Sequence, residues 1–214
     1  MSDMRASEVI VKKQQKMIRK KGRPLGYDPD EILEIAMNLF WANGYEATSL
    51  DDILNATNIA KSSFYHMFGN KQQLFERCLN RYCDRQVALI EESIQQSSTG
   101  RDFIEKFLHG LVETVRKSKE RYIGCFVTNT LYEFNDRNAA VSKILSNVTT
   151  KLNQLLQLAI KKGQSKGVIT KNKTSSALAN FLMSSIAGIR TMIHAQVEID
   201  QLEEILDSTL AALD

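Results

Sequence analysis

The chain has 214 residues, of which 43% are hydrophobic, so it can bury a sizeable core and is not mainly disordered. Only 2 prolines and 10 glycines interrupt it, whereas a β protein of this size needs a turn signal about every 8–12 residues, so the composition favours long helices. No apolar run approaches the roughly 18 residues of a membrane span, and the N-terminus is charged and polar, so we expect a soluble, cytoplasmic protein.

The net charge of +3 hides an uneven distribution. Residues 1–26 carry a net charge of +6, whereas the remaining 188 residues carry −3. A basic arm on a nearly neutral body suggests an extension that binds a polyanion, either nucleic acid or an anionic membrane surface. A solvated tail without a partner is the alternative interpretation.

The first predicted helix begins at Pro29, where the first turn accepts proline, and ends at Gly44. A short second helix follows, capped by either Thr48 or Ser49 and ending near Ala56. The segment 57–59 is a tight break, and a third short helix is predicted over 60–67.

A longer helix is predicted from Lys71 to the loop at 97–100, which is the best candidate domain boundary. Further helices are predicted at about 101–118, 120–135, 138–163, 174–196 and 200–213. The expected fold is all-α. We divide it into a flexible arm (1–26), a helix-turn-helix domain (27–82) and a ligand-binding and dimerisation domain (83–214).

Two short helices packed on a longer one form a helix-turn-helix, whose second helix can enter the major groove of DNA. On a helical wheel, positions 60, 63, 64, 67 and 68 share the inward face of the third helix. The opposite face carries a cation, a hydroxyl, a phenol and an imidazole, which suit phosphates and base edges. These residues are Lys61, Ser62, Tyr65 and His66. An ordinary solvated face is the alternative, but such faces rarely place Tyr beside His.

Residues 30–82 resemble the DNA-binding domain of the TetR family of bacterial transcriptional repressors. The resemblance rests on Ala36, Phe40, Gly44-Tyr45, Ala47-Thr48-Ser49, Asp52-Ile53, Phe64-Tyr65, Phe68, Lys71 and Leu74-Phe75. It implies DNA contacts, mostly to the backbone, by Thr48, Lys61, Ser62, Ser63, Tyr65, His66 and Lys71, and we include the neighbouring Ser49. The chain departs from the family where Asn58 replaces the usual glycine and Ala60 the usual serine, which removes a cap from the third helix.

The resemblance favours DNA as the partner of the basic arm, because Lys20, Lys21 and Arg23 can enter a narrow A·T-rich minor groove. By the same resemblance, the last two helices pair with their counterparts in a homodimer as a four-helix bundle. Their apolar stripes could instead be intramolecular core. A dimer is favoured, since a single helix-turn-helix seldom supplies enough affinity alone.

A second resemblance is at Cys125, whose Gly-Cys-x-x-x-Asn segment resembles that of a TetR branch in which some members are thought to sense electrophiles or oxidants. A reactive thiol needs a lowered pKa, and Arg121 together with a helix start near Glu120 could supply it. A buried, inert cysteine is the alternative. Asn129 and His109 complete the candidate effector site.

Enzymatic interpretations find little support. The three cysteines include no CxxC pair, no histidine has a partner at ligand spacing, and no phosphate-binding glycine loop is present, so we expect no metal, no cofactor and no catalysis. The chain is therefore interpreted as a dimeric repressor that binds an inverted-repeat operator and is released by an unknown small-molecule or electrophile signal. The alternative is a membrane-surface or protein-interaction module anchored by the arm.

Overall fold

The computed structural model describes residues 27–117, 124–134 and 138–214, and the regular structure of these ranges is helical. In chain order the helices are α1 (Pro29–Asn43), α2 (Leu50–Thr57), α3 (Lys61–Phe68), α4 (Lys71–Gln96), α5 (Gly100–Lys117), α6 (Phe126–Phe134), α7 (Ala139–Ser165), α8 (Ser175–His194) and α9 (Ile199–Ala211). The all-α prediction is confirmed.

Helix α1 begins and ends where the sequence predicts. The Asp28 carboxylate caps it by accepting a hydrogen bond from the backbone N–H of Asp30 at 2.9 Å. Gly44 ends it with φ of 90°, a conformation that favours glycine. The turn that follows starts from this residue.

Between α1 and α4 the chain forms the expected helix-turn-helix. Ser49, rather than Thr48, caps α2, in a capping box with Asp52. Asn58 adopts the left-handed conformation with φ of 51°, which its side chain tolerates better than most. Ala60 precedes α3 and makes no side-chain cap, as its replacement of serine implies.

Two apolar clusters form the core. The first joins α1–α4 to α6 and to the N-terminal half of α7, and the second joins α5, the C-terminal half of α7, α8 and α9. Helix α4 is continuous past residue 82, so the domain boundary drawn there lies inside a helix. Helix α6 belongs to the first cluster and so shares a core with the helix-turn-helix.

The helix predicted over 120–135 differs from the structure. The described helix α6 begins only at Phe126, after Gly124 with φ of 75°, because a left-handed residue interrupts helical geometry. Glu120 and Arg121 lie outside the described residues. The other predicted helices after residue 100 agree with the structure to within about two residues at each end.

Candidate nucleic-acid interface and cysteine site

Helix α3 is anchored by two aromatic side chains and presents its other face to solvent. Phe64 and Phe68 are buried in the first core cluster, as the helical wheel predicts. The opposite face exposes Tyr65, whose side chain is 47% accessible. Lys61, Ser62 and His66 are also exposed, and Ser63 is half-buried at the edge. Four side chains that can donate hydrogen bonds therefore lie together on one outward face.

Thr48 does not belong to this surface. Its side chain is fully buried, and its hydroxyl donates to the carbonyl oxygen of Gly44 at 2.6 Å. The structure does not support a DNA contact by the Thr48 side chain, because its hydroxyl closes the turn between α1 and α2. Its neighbour Ser49 is exposed at the N-terminus of α2.

The Ser49 hydroxyl is also engaged locally. It donates to the Asp52 carboxylate at 2.6 Å, and the Ser49 backbone N–H donates to the same oxygen at 2.8 Å. Hydrogen bonds from the Ser49 hydroxyl and N–H lower the pKa of Asp52. The pair fixes the start of α2 and remains at the surface.

Lys71 is half-buried and contacts the same turn. Its Nζ donates to the carbonyl oxygens of Tyr45 at 2.9 Å and Thr48 at 3.1 Å. It also lies 4.1 Å from the centre of the Tyr45 ring, a cation–π contact. The structure thus shows Lys71 as a clamp on the turn. The remaining predicted contacts, Lys20, Lys21 and Arg23, lie outside the described residues.

Cys125 lies at the N-terminal end of α6, buried among groups from three helices. The Tyr82 hydroxyl of α4 donates to its sulfur at 3.6 Å. Thr128 contributes hydrogen bonds from both its backbone N–H and its side chain, and Arg190 of α8 supplies a positive charge. Within the described residues, the buried Nε of Arg190 has no hydrogen-bond partner.

These neighbours make Cys125 chemically different from Cys78 and Cys83, although all three cysteines are buried. Burial raises the pKa of the Cys78 and Cys83 thiols to about 12. Burial also opposes ionisation of Cys125, but the Arg190 charge and the hydrogen bonds from Thr128 and Tyr82 outweigh it and hold its pKa below the ordinary thiol value. A thiol in such surroundings carries more of the nucleophilic thiolate at neutral pH.

The structure places His194, and not the predicted His109, beside this site. A Cβ added to Gly124 would overlap the ring of His194 and would lie 2.8 Å from Oδ1 of Asn129, so these two side chains lie against Gly124. His109 is instead on the exposed face of α5. Asn129 was predicted, whereas His194 and Arg190 were missed. Their spacing of four residues on α8 gives them a common face, but only the fold brings that face to Cys125.

Helix α6 also contacts the helix-turn-helix directly at both ends. At one end, the indole N–H of Trp41 donates to the carbonyl oxygen of Gly124 at 3.1 Å. At the other end, the Glu133 carboxylate accepts hydrogen bonds from the backbone N–H groups of Tyr45 and Glu46. Sequence inspection missed both contacts, since no local pattern pairs residues so far apart.

Comparison with known proteins identifies the family. The model of "Bacterial regulatory proteins, tetR family" matches residues 32–78, and that of "Tetracyclin repressor-like, C-terminal domain" matches residues 101–211. The HTH-type transcriptional repressor ComR of Escherichia coli (strain K12) is 30% identical over 194 residues, which cover 90% of this chain and 91% of ComR. The biofilm operon icaADBC negative regulator IcaR of Staphylococcus aureus (strain Newman) is 32% identical over 124 residues, covering 53% of this chain and 65% of IcaR.

Solved structures of TetR-family regulators share the fold of this chain. A cysteine mutant of the TetR family transcriptional regulator CifR, complexed with 26 bp double-strand operator DNA, superimposes with a TM-score of 0.77 at 25% identity, covering 90% of this chain and all of that one. Reduced E. coli NemR shares the fold, with a TM-score of 0.78 at 19% identity, covering 84% of this chain and 93% of NemR. The chain belongs to the TetR family of bacterial regulatory proteins, which are DNA-binding transcription regulators and not enzymes.

Proposed function

We propose that this protein is a homodimeric transcriptional repressor that inserts α3 into the major groove of an inverted-repeat operator. The observation that carries the proposal is the outward face of α3, on which Lys61, Ser62, Tyr65 and His66 are exposed while Phe64 and Phe68 fix the helix. The similarity to the repressors ComR and IcaR supports repression. The operator-bound CifR structure supports duplex DNA as the partner. The alternative of a membrane-surface or protein-interaction module gains no support from these relatives.

Footprinting on the DNA upstream of the gene tests this function. A protected palindrome with two half-sites about one helical turn apart is expected, because twofold symmetry places two α3 helices in successive major grooves. Equal affinity for operator and random duplex at the same salt concentration would contradict the proposal.

The proposed partner of α8 is a second copy of the chain. Among the described helices, α8 alone has the length and apolar composition of a membrane span, yet only 33% of its most apolar 18 residues are buried within the protomer. Phe181 and Met192 are each 42% exposed and lie on one stripe with Gly188. An exposed apolar stripe of this length is stabilised when another surface covers it.

A pair of glycine substitutions tests this dimer. Gly188 on α8 and Gly110 on α5 are both exposed, and an added Cβ would meet nothing within 4 Å at either position. We expect Gly188→Glu to place charges in the dimer interface and yield monomers in sedimentation velocity, while Gly110→Glu remains dimeric. Dimers in both variants would exclude this face of α8.

The proposed signal is an electrophile or oxidant that reacts at Cys125. The lowered pKa of this thiol and its position at the start of α6 support this choice over Cys78 and Cys83. An adduct must fit the operator-free state better than the operator-bound state, since equal fit would shift nothing. We expect electrophile treatment to release the operator from wild type and from a Cys78→Ser, Cys83→Ser double variant. We expect no release from Cys125→Ser.

A further inference from the structure

The turn between α1 and α2 is held from two sides by opposite charges. On one side, the Glu133 carboxylate of α6 accepts hydrogen bonds from the backbone N–H of Tyr45 at 2.9 Å and of Glu46 at 2.8 Å. On the other side, the Lys71 ammonium of α4 donates to the carbonyl oxygens of Tyr45 and Thr48. Charge-assisted hydrogen bonds of this kind are stronger than neutral ones, so the turn is fixed relative to both helices.

Gly44 makes this contact possible. Its φ of 90° bends the chain so that the next two N–H groups point at one carboxylate, and a Cβ at this position would lie 3.1 Å from Oε1 and 3.2 Å from Oε2 of Glu133. A side chain here would crowd the carboxylate, and the positive φ itself favours glycine. Glu133 uses one oxygen for each N–H, which matches the two acceptors of an ionised carboxylate.

We propose that Glu133 is a positioning residue for operator binding, which sets the angle of α2 and α3 by holding the turn that leads into them. The turn runs directly into Ser49, the N-cap of α2, and α3 follows after the break at Asn58. A small displacement of the turn therefore moves the exposed face of α3. This inference rests on the proposed function and adds one contact through which the rest of the chain controls operator binding.

The same contact joins the cysteine site to the DNA-binding face. Cys125 immediately precedes the nine-residue helix α6, and Glu133 is its penultimate residue. Phe126 and Phe134, at the two ends of α6, pack against the Phe75 ring at 5.6 Å and 5.1 Å between ring centres. Because α6 is short and packed at both ends, a group forced in beside Cys125 shifts its far end, and Glu133 passes that shift to the Tyr45 and Glu46 amides.

Glu133→Gln tests the proposal, because the amide keeps the size of the side chain but replaces one acceptor oxygen by a donor. Glu46→Gln is the matched control. It removes an equal charge from an exposed side chain of the turn itself and leaves the hydrogen bonds from the Tyr45 and Glu46 N–H groups to Glu133 in place. The measurements are amide exchange at Tyr45 and Glu46, operator affinity of the untreated protein, and melting temperature. Glu133→Asp, which keeps the charge on a shorter side chain, serves if the glutamine variant does not fold.

In Glu133→Gln we expect amide exchange at both positions to accelerate and operator affinity to fall by about tenfold or more, the size expected for loss of a charge-assisted hydrogen bond. Glu46→Gln should change neither quantity. Operator affinity of Glu133→Gln within about twofold of that of Glu46→Gln would overturn the positioning role, whether or not exchange accelerates.

The electrophile response gives a second readout. The ratio of operator affinity before and after treatment should fall towards one in Glu133→Gln and stay at its wild-type value in Glu46→Gln. If wild type binds its operator but does not respond to electrophiles, the proposed signal fails, and the untreated affinities still decide the role of Glu133. If wild type shows no operator preference, the proposed function fails and the positioning role with it.

Discussion

The indole N–H of Trp41 donates to the carbonyl oxygen of Gly124 at 3.1 Å, which links α1 of the helix-turn-helix to the residue before Cys125. Trp41 also packs edge-on against Tyr82, whose hydroxyl donates to the Cys125 sulfur. The half-buried indole therefore contacts both Gly124 and Tyr82, the two residues next to the thiol.

Trp41 is the only tryptophan in the chain, so its fluorescence is a direct probe of this link. An adduct on Cys125 should disturb the packing around the indole and shift its emission towards the wavelength of solvated tryptophan. Spectra recorded before and after mild electrophile treatment of wild type and Cys125→Ser check this. An equal shift in Cys125→Ser would place the modified group elsewhere.

Lys61→Ala and Tyr65→Ala should each weaken operator binding without lowering the melting temperature appreciably, because both side chains are exposed on α3. Loss of the Lys61 phosphate contact should also reduce the steepness of log affinity against log salt, by about 0.9 for each half-site and so by about 1.8 for the dimer. Titrations at several salt concentrations measure both effects. Lys143→Ala, at an exposed position on α7, is the matched control and should leave the slope unchanged.

Thr48→Val should show the opposite pattern. The hydroxyl that donates to Gly44 is lost in the interior, so we expect a destabilisation of about 1 kcal/mol and a melting temperature lower by about 2–4 °C. Operator affinity measured well below the melting temperature should stay near wild type. Thr48→Ser keeps the hydroxyl and separates its contribution from that of the methyl group. Weakened DNA binding at unchanged stability would restore Thr48 to the interface.

The sequence predicted the inward and outward faces of α3 more accurately than the surroundings of Cys125, for a physical reason. Around α3, the inward and outward positions follow from a 3.6-residue period, so Phe64 and Tyr65 are assigned to opposite faces by local information alone. At Cys125, the activating groups come from α4 and α8, and no local pattern reports which distant helices will meet. The predicted cation, Arg121, lies outside the described residues, whereas Arg190 was found only through the fold. The burial of Thr48 was not predicted, because a motif gives the residue type and not the direction of its side chain.

Removing residues 1–23 should weaken operator binding and flatten its salt dependence. The deleted segment carries the three predicted minor-groove contacts Lys20, Lys21 and Arg23. Each lost phosphate contact lowers the log–log slope by about 0.9, so the change in slope counts the contacts made by the arm. Full-length protein with these three residues changed to glutamine controls for the loss of chain length. A slope equal to that of wild type would show that the arm does not reach DNA.

Alkylation of Cys125 should depend on pH in a way that reports the charge of Arg190. The pKa of Cys125 lies below the ordinary thiol value, so the thiolate, and with it the alkylation rate, should persist to lower pH than in an unperturbed thiol. In Arg190→Gln the positive charge is lost, the pKa of Cys125 should rise, and the midpoint of the rate profile should move to higher pH. At a fixed pH below the midpoint, each unit by which the pKa of Cys125 rises should lower the alkylation rate about tenfold, because the thiolate fraction falls in that proportion.

Arg190→Lys keeps the positive charge and should retain most of the wild-type profile, which separates electrostatic activation from packing. Intact-mass measurements over a pH series in wild type, Arg190→Gln and Arg190→Lys give the three profiles, and Cys125→Ser identifies the site of the adduct. Cys78 and Cys83, whose thiols have their pKa raised to about 12 by burial, should stay unmodified near neutral pH. Profiles that coincide in wild type and Arg190→Gln would show that hydrogen bonds from Tyr82 and Thr128 activate the thiol without the charge on α8.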